Sequence, residues 1–454
     1  SDTLRASNPE VNEPYKTVPN SSNRTQTGAV GVSRVFDRGH LGMSYSNFHN
    51  RYGTVAEPTV SIDMTRHNLA LAGELRDVGF LQSVRLKSTG IVYRHQEYED
   101  QEIGTTFRNR GVESRIDLKH KPVGIINGLF GLQHQQSEFS AAGEEAFLPT
   151  TKNGAVAAFI YEEAQLGDFT PSLGGRFENA SVRSLDNDTF GAGQRRAFWA
   201  GSGSAGLIYQ LMPEWSMAVN GAYTERAPNY QELFAGGVHV ATNLFEQGNT
   251  ELGKERSKSL EWSLRKKARN NEGRLTFFVQ DYDRYLALAP TGTNDVDSGL
   301  EIYDYRAIQA RLFGGEFEWR NELRKLTSRG VFEIDVKGDF VRGQDRSGSS
   351  SLPRITPIRE TIGLNYRLDG YFTEIEWQHT HDQNFLAANE TKTPGYHFVN
   401  WAGEAPLDLG FGALRVIGKV QNILNNEARN HVSFLKDRAP LPGRNFIVGL
   451  QASI

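Results

Sequence analysis

Two histidines in long polar stretches are the residues of this sequence best placed to do chemistry. Glu246 and Glu251 follow His239, and His431 lies in the last polar stretch of the chain. The chain contains no cysteine, so its metal ligands would be imidazole and carboxylate groups, which suit Zn²⁺. Loops that are far apart in sequence can converge on one site, and we predict metal ligation by His239, His431 and Glu246. An ordinary polar role in a loop is the alternative for each.

Residue patterns of known enzyme active sites are missing from the sequence. It contains no Gly-x-Ser-x-Gly, no phosphate-binding loop and no His-Glu-x-x-His, the arrangements that place a nucleophile, a phosphate or a catalytic zinc. The formal net charge of −4 provides no basic excess for nucleic acid. We therefore predict a protein that is not an enzyme and that binds no nucleic acid.

The elements that must position the two histidines are strands. In the final stretch, Arg444 to Ile454, apolar and polar residues alternate with a period of two, and Ile447 is the only exception. Residues 215–224 and 332–340 alternate in a similar way. One apolar face and one polar face are typical of a strand that is covered on one side only.

Composition favours a membrane barrel over several soluble domains. The 454 residues are only 38% hydrophobic, yet 11% are aromatic and 46 are glycine, and the mean hydropathy is −0.51. The longest apolar run, Ala155 to Tyr161, is far shorter than the roughly 20 residues of a membrane helix. A long, polar chain of alternating, aromatic-rich segments is typical of a transmembrane β-barrel, in which every second residue faces a watery lumen.

Short and long connections alternate along the chain without a break. Outer-membrane barrels have short turns at one end and longer loops at the other, so this alternation predicts an all-β, antiparallel barrel of about nineteen strands. The short connections are 37–39, 77–79, 121–124, 166–168, 212–214, 270–273, 328–330, 369–370 and 408–410. The long connections lie near 50–58, 97–105, 140–151, 184–196, 227–254, 290–300, 343–358, 384–395 and 425–441.

The odd number of strands has a geometric consequence. An up-and-down barrel of nineteen strands cannot close with an antiparallel pair. The strands over Thr25 to Val35 and over Arg444 to Ile454 both run from a long connection towards the short-turn end. The count therefore predicts that an odd number of strands is missing between them.

Two long segments carry a resemblance to a known family. Residues 224–234 read Thr-Glu-Arg-Ala-Pro-Asn-Tyr-Gln-Glu-Leu-Phe, with Phe-Glu-Gln-Gly-Asn at 245–249, and residues 421–428 read Gln-Asn-Ile-Leu-Asn-Asn-Glu-Ala. These segments resemble the signature loop and the last loop and strand of TonB-dependent outer-membrane receptors. The surroundings of His239 and His431 are most similar to the zinc-uptake branch, and the resemblance covers about Asn20 to Ile454.

The resemblance implies a 22-stranded barrel with an N-terminal plug. The plug and the first three strands would then lie outside this chain, which agrees with the odd count. Residues 1–24 would be an extracellular loop or tail, and residues 25–454 would be the outer-membrane barrel.

The resemblance also implies a function. The protein would be a monomeric receptor and transporter in the outer membrane of a Gram-negative bacterium, energised by the TonB complex and surrounded by outer-membrane lipid and lipopolysaccharide. Its cargo would be zinc ion, or haem or an iron chelate, and it would need no resident cofactor. The expected substrate-binding residues within the resembling segments are Arg226, Asn229, Tyr230, Arg429 and Asn430.

The chain departs from the family pattern at two places. It ends on Ile454, where family members usually end on an aromatic residue, and Tyr52-Gly53 leads into Thr-Val-Ala-Glu-Pro instead of a histidine-rich loop. The second departure bears on the metal and not on the fold. A passive porin is the main alternative, and an outer-membrane barrel enzyme with a Ser/His or Asp/His group at its rim is a further one.

Overall fold

The computed structural model describes residues 19–55, 57–143, 146–239, 242–323, 330–348, 350–408 and 413–453, and the backbone of two short strands before them. Those two strands, β1 (Ala6–Ser7) and β2 (Pro14–Tyr15), pair with each other. Ile454 and parts of the predicted turns at 328–330 and 408–410 lie outside the described residues.

Nineteen long strands make up most of the other described residues. The first ten are β3 (Asn23–Phe36), β4 (Gly39–Gly53), β5 (Val60–Val78), β6 (Leu81–Glu99), β7 (Glu102–His120), β8 (Ile126–Gly143), β9 (Thr151–Ala164), β10 (Phe169–Ser184), β11 (Arg195–Met212) and β12 (Trp215–Arg226). One long connection then holds α1 (Tyr230–Phe234), β13 (Gly236–His239) and β14 (Leu244–Gln247). The remaining strands are β15 (Glu255–Lys267), β16 (Asn271–Asn294), β17 (Glu301–Glu322), β18 (Val331–Asp345), the two-residue β19 (Ser350–Ser351), β20 (Arg359–Leu368), β21 (Tyr371–Thr380), β22 (Tyr396–Asp408), β23 (Ala413–Gln421) and β24 (Asn445–Ser453).

The long strands form a barrel. Each pairs antiparallel with the next long strand, and the order of the sheet returns from β24 to β3. The outward face carries exposed apolar side chains such as Val32 and Leu450, as the alternation predicts. The predicted fold class and the count of nineteen strands are confirmed. No helix in the described part of the chain is long and apolar enough to cross a membrane.

The barrel has a seam between its first and last strands. β3 pairs with β4, and β24 pairs with β23. Both end strands run from the long-loop end to the short-turn end; the order of the barrel closes from β24 to β3, but no residue-by-residue register pairs these two strands within the described ranges 19–55 and 413–453. Every residue of β3 is exposed. The seam therefore lacks the regular antiparallel register that joins the other long strands.

One predicted loop is wrong. The sequence predicts a long connection over 97–105, but β6 continues to Glu99 and β7 begins at Glu102, so only a tight turn separates them. Asp100 takes a positive φ of 53° in this turn. β5, β6 and β7 have 19 residues each, whereas about 9–11 residues cross a bilayer. The polar residues that looked like a loop belong to a hairpin that projects beyond the membrane thickness.

Candidate functional site

The long connection between β12 and β15 folds into the mouth of the barrel. Its helix α1 begins with a capping box, in which Asn229 Oδ1 accepts a hydrogen bond from Glu232 N (2.8 Å) and the Glu232 carboxylate accepts one from Asn229 N (2.7 Å). This exchange satisfies backbone donors that a helix start leaves without partners. Arg226, the last residue of β12, donates to Glu232 at 2.9 Å and to Glu255 at 3.1 Å. The strand end and the helix are thereby held together.

An apolar cluster fixes this connection against the barrel wall. Leu233 and Phe234 of α1 are buried together with Phe147 and Phe198, and Tyr230 packs against the same cluster. Ordering a loop costs conformational entropy, and the burial of large apolar side chains offsets that cost. The loop is therefore a folded part of the barrel mouth.

The carboxylate of Glu246 is the polar centre of the connection. Its Oε1 accepts hydrogen bonds from His239 Nδ1 (2.7 Å) and Thr242 Oγ1 (3.0 Å), and its Oε2 accepts from Gln231 Nε2 (2.8 Å) and Tyr305 OH (2.9 Å). The side chain is only 1% exposed. Burial opposes its ionisation, but the hydrogen bonds, with His239 foremost, outweigh burial and lower the pKa of Glu246 below its usual value.

His239 is held in one orientation by two contacts. Its Nδ1 bonds to Glu246, and its ring stacks on Phe147 with the ring centres 4.3 Å apart and the planes at 14°. Nε2 is the opposite nitrogen of the ring and has no partner within the described residues. A histidine whose Nδ1–H is fixed by a carboxylate presents Nε2 to a metal, as is typical of metal sites in proteins.

His431 makes a separate group of contacts in the connection between β23 and β24. Its side chain is 1% exposed, and its Nε2 lies 3.0 Å from Glu390 Oε1 without hydrogen-bonding geometry. Its Nδ1 lies 2.8 Å from Thr393 Oγ1 and 3.4 Å from Lys436 Nζ. Burial lowers the pKa of both His431 and Lys436. Burial thus favours a neutral imidazole, the form that binds metals.

A cavity of about 270 Å³ lies between these connections. Leu244 from the His239 loop and His431 both line it, together with Glu390, Arg354 and Lys436. The structure thus joins His239 to Glu246, but it gives His431 a different carboxylate. Across the described ranges, no three histidine or acidic side chains are arranged to hold one metal ion.

The sequence of this chain also matches the profile of a known protein family. The profile described as "TonB dependent receptor-like, beta-barrel" matches residues 5–423. This chain belongs to that family.

Solved receptors and transporters share the fold of this receptor. The copper transporter OprC superposes with a TM-score of 0.81 at 16% identity, covering 96% of this chain and 72% of the other. The FrpB iron transporter from Neisseria meningitidis superposes with a TM-score of 0.78 at 15% identity, covering 99% and 74%. The ferric citrate transporter FecA superposes with a TM-score of 0.73 at 14% identity, covering 95% and 70%. Identities this low establish the fold, and the family is one of receptors and transporters, not enzymes.

The predicted substrate-binding residues of this receptor hold its loops in place. Arg226 bridges two carboxylates, Asn229 caps α1, and Tyr230 stacks on Phe139 with the ring centres 5.1 Å apart. In the last connection, Arg429 donates to the Glu427 carboxylate and to the carbonyl of Lys436, and Asn430 Oδ1 accepts from Val432 N. A ligand role for any of these residues would be an additional one.

Sequence reasoning missed two partners of Glu246 and the carboxylate beside His431. Gln231 and Tyr305 bind Glu246, and Glu390 lies beside His431, although Tyr305 and Glu390 are far from their partners along the chain. Gln231 belongs to the Pro-Asn-Tyr-Gln-Glu segment that carries the resemblance. Glu390 and Tyr305 had no comparable local signal.

Proposed function

We propose that this receptor binds zinc ion at its long loops and imports it through the barrel with energy from the TonB complex. The protein would lie as a monomer in the outer membrane of a Gram-negative bacterium, with its long-loop end outward. Residues 1–24 would form an extracellular loop or tail, and residues 25–454 would form the barrel. Zinc is substrate here, and no resident cofactor is invoked.

The orientation of His239 and the unsatisfied nitrogen of His431 carry the proposal. Among the described residues His239 Nε2 has no partner while Nδ1 is fixed, and His431 Nε2 lies close to a carboxylate oxygen to which it makes no hydrogen bond. A buried polar atom without a partner is costly. Zinc shared by His431 and Glu390 would remove that cost. We therefore assign Glu246 the task of orienting His239, because hydrogen bonds already occupy both of its oxygens.

The named cargo of similar structures supports a metal. OprC is named a copper transporter and FrpB an iron transporter. Imidazole and carboxylate groups are ligands for several divalent transition metals, with copper bound more strongly than zinc by most sites. The relative affinity for copper and zinc therefore does not decide the cargo by itself.

Calorimetry on the full-length receptor tests the proposal. Wild-type protein should bind zinc, and the pair His239→Ala with His431→Ala should lose most of that affinity. His379→Ala removes a histidine from outside this site and should bind like wild type. Unchanged affinity in the double variant, or no zinc binding by the wild-type protein, would contradict zinc as the cargo of these loops.

An anionic metal chelate, such as an iron chelate or haem, is the second candidate. The guanidinium of Arg354 stacks on the Phe434 ring at 3.8 Å and has no carboxylate partner in the described parts of the chain, and Arg354 takes a positive φ of 56°. Arg354 and Lys436 both line the cavity, where a cation would be repelled and a carboxylate attracted. Arg354→Ala should weaken ferric citrate binding and leave zinc binding unchanged if the chelate is the cargo.

A further inference from the structure

The strand registers bring basic side chains together on the wall of the barrel. Lys152 of β9 lies directly opposite Arg183 of β10, and Arg183 lies directly opposite Arg195 of β11. On neighbouring strands, Arg94 of β6 lies directly opposite Arg108 of β7. All of these side chains are exposed. We call the set the basic patch; it consists of Arg94, Arg108, Arg110, Lys152, Arg183 and Arg195.

The basic patch is on the outer face of the barrel. Residues that lie opposite each other, or two apart along one strand, share a face of the sheet. Through its register Arg110 shares a face with Val92 and His67, and His67 shares it with Leu69, which is 52% exposed. Arg195 shares its face with Trp199, which is 60% exposed. The patch therefore faces outward, on the same side as the lipid-facing rows.

The charges of the basic patch are largely unpaired. Lys152 makes an ion pair with Glu138 at 3.4 Å, but the five arginines of the patch have no carboxylate within 4 Å in the described part of the chain. Like charges directly opposite each other destabilise a sheet. The row of Lys152, Arg183 and Arg195 and the opposed pair of Arg94 and Arg108 therefore destabilise the isolated barrel, and bound anions would remove this repulsion.

Two basic residues elsewhere on the outer face do have carboxylate partners. On the strands β15 to β17, Lys258 pairs with Asp283 at 3.0 Å, and Arg311 pairs with Asp281 at 2.6 Å. Registers place these residues on the face of Trp262 and Phe277. Glu138 of β8 lies in the same row as the patch, directly opposite Arg110 and Lys152, and its ion pair is with Lys152, so the arginines of the patch remain without one in the described part of the chain.

The patch lies just beyond an apolar, grooved surface. On the outward face, Tyr45 is paired with Leu69, which is the next outward residue after His67 towards the short-turn end. Trp199 is the second outward residue after Arg195 in the same direction. This is as expected for the aromatic girdle that marks a membrane interface. Shallow depressions of about 540 Å³ and 370 Å³ open beside the patch, one with Arg110 and the other with Arg183 and Arg195 in its lining. A Cβ built at Gly90, in the first depression, would meet no atom within 4 Å. The surface has room for a bulky headgroup.

We propose that the basic patch binds the phosphates of lipid A, the membrane anchor of lipopolysaccharide, while its acyl chains lie on the apolar rows below. Arginine is suited to phosphate because its planar fork donates two parallel hydrogen bonds. Clusters of basic residues at a membrane interface are typical of sites for anionic lipid headgroups. Lipid A carries phosphate and acyl chains on one molecule, as the two adjoining surfaces require. The proposal rests on the orientation given under the proposed function, with the long-loop end outward.

Binding of diphosphoryl lipid A to the full-length receptor in detergent tests this proposal. Native mass spectrometry would compare diphosphoryl lipid A, dephosphorylated lipid A and phosphatidylglycerol. The wild-type receptor should retain diphosphoryl lipid A best. The variant Arg108→Gln with Arg110→Gln, and separately Arg183→Gln with Arg195→Gln, should each weaken its binding by about tenfold. Lys258→Gln with Arg311→Gln removes two paired charges from the same outer face and should bind like wild type.

Each outcome decides for or against the site. The site would be overturned if phosphorylated and dephosphorylated lipid A bound equally, or if the control variant lost as much lipid A binding as the patch variants. It would also be overturned if neither patch variant lost lipid A binding. Equal retention of phosphatidylglycerol would overturn lipid A as its occupant. Heat-modifiable migration on gels would confirm that the variants are folded. Zinc binding should be unchanged in the patch variants, so failure of this proposal and failure of zinc import are separate results.

Discussion

At the scale of single residues, hydrogen bonding assigns different tasks to two carboxylates. Glu246 accepts hydrogen bonds at both oxygens from side chains, whereas Glu390 accepts its bonds from the backbone nitrogens of Arg354 and Ala387 and also lies beside His431 Nε2. A carboxylate has about four lone-pair sites. Glu246 has filled them, so it acts on a metal through His239. Glu390 retains capacity to coordinate directly.

The substitution Glu246→Gln tests this division. The glutamine amide would place an N–H donor where four surrounding groups already donate hydrogen bonds to the carboxylate. His239 would then lose its fixed tautomer and orientation. We expect zinc affinity to fall about 10- to 100-fold, as is typical when a group that orients a ligand is changed. Calorimetry measures the effect. Glu251→Gln, on an exposed carboxylate of the same connection, is the matched control, and equal affinities in both variants would contradict the assignment.

The pH dependence of the last connection follows from His431. Burial lowers the pKa of His431 below 6.5, against the opposing attraction of Glu390, so the folded loop favours the neutral ring. The stabilisation is fully present above the unfolded pKa of 6.5 and is lost as the pH falls through the folded pKa. We expect hydrogen exchange over residues 422–444, corrected for intrinsic rates, to quicken between pH 7 and pH 5. His431→Gln should flatten this dependence, and increased protection in acid would contradict it.

At the scale of elements, strands were predictable and loop contacts were not. A period of two with one apolar face is a local pattern, so β12, β18 and β24 were evident from the sequence, as was their number. The short helix α1 was missed because five residues are too few for a helical period. The contact of His431 with Glu390 was missed for another reason: it depends on how two loops converge, which no local spacing encodes.

Arg226 links two such elements, and its replacement tests whether the link orders the loop. Arg226→Ala would leave the carboxylates of Glu232 and Glu255 without their shared cation. The expected local cost is roughly 1–3 kcal/mol, reduced because the Arg226 side chain is partly exposed. Hydrogen exchange should quicken over residues 229–249 and not in β3 to β5. Lys258→Ala, on an exposed pair, should leave this segment unchanged, and an identical response in both variants would contradict the link.

At the scale of the whole molecule, the wall is uneven in two respects. Opposed basic side chains without ion pairs face outward on β6, β7, β10 and β11, and within the described ranges no register of paired residues joins β24 to β3. The strand count explains the second feature, because β3 and β24 run in the same direction. Three further strands, the number that the family's 22-stranded barrel implies, would restore antiparallel pairing at both edges.

Engineered cysteines test whether strands occupy the seam in the full-length receptor. The chain has no cysteine of its own, so any disulfide would come from the introduced pair. Adjacent strands are about 4.8 Å apart, and three intervening strands would separate β3 from β24 by about 19 Å. A disulfide needs Cα atoms within about 7 Å. Val30→Cys or Val32→Cys, combined with Val448→Cys or Leu450→Cys, should therefore remain reduced under mild oxidation. Val416→Cys with Leu450→Cys, on directly opposed residues of β23 and β24, should form the bond, and a disulfide across the seam would show that β3 and β24 are neighbours.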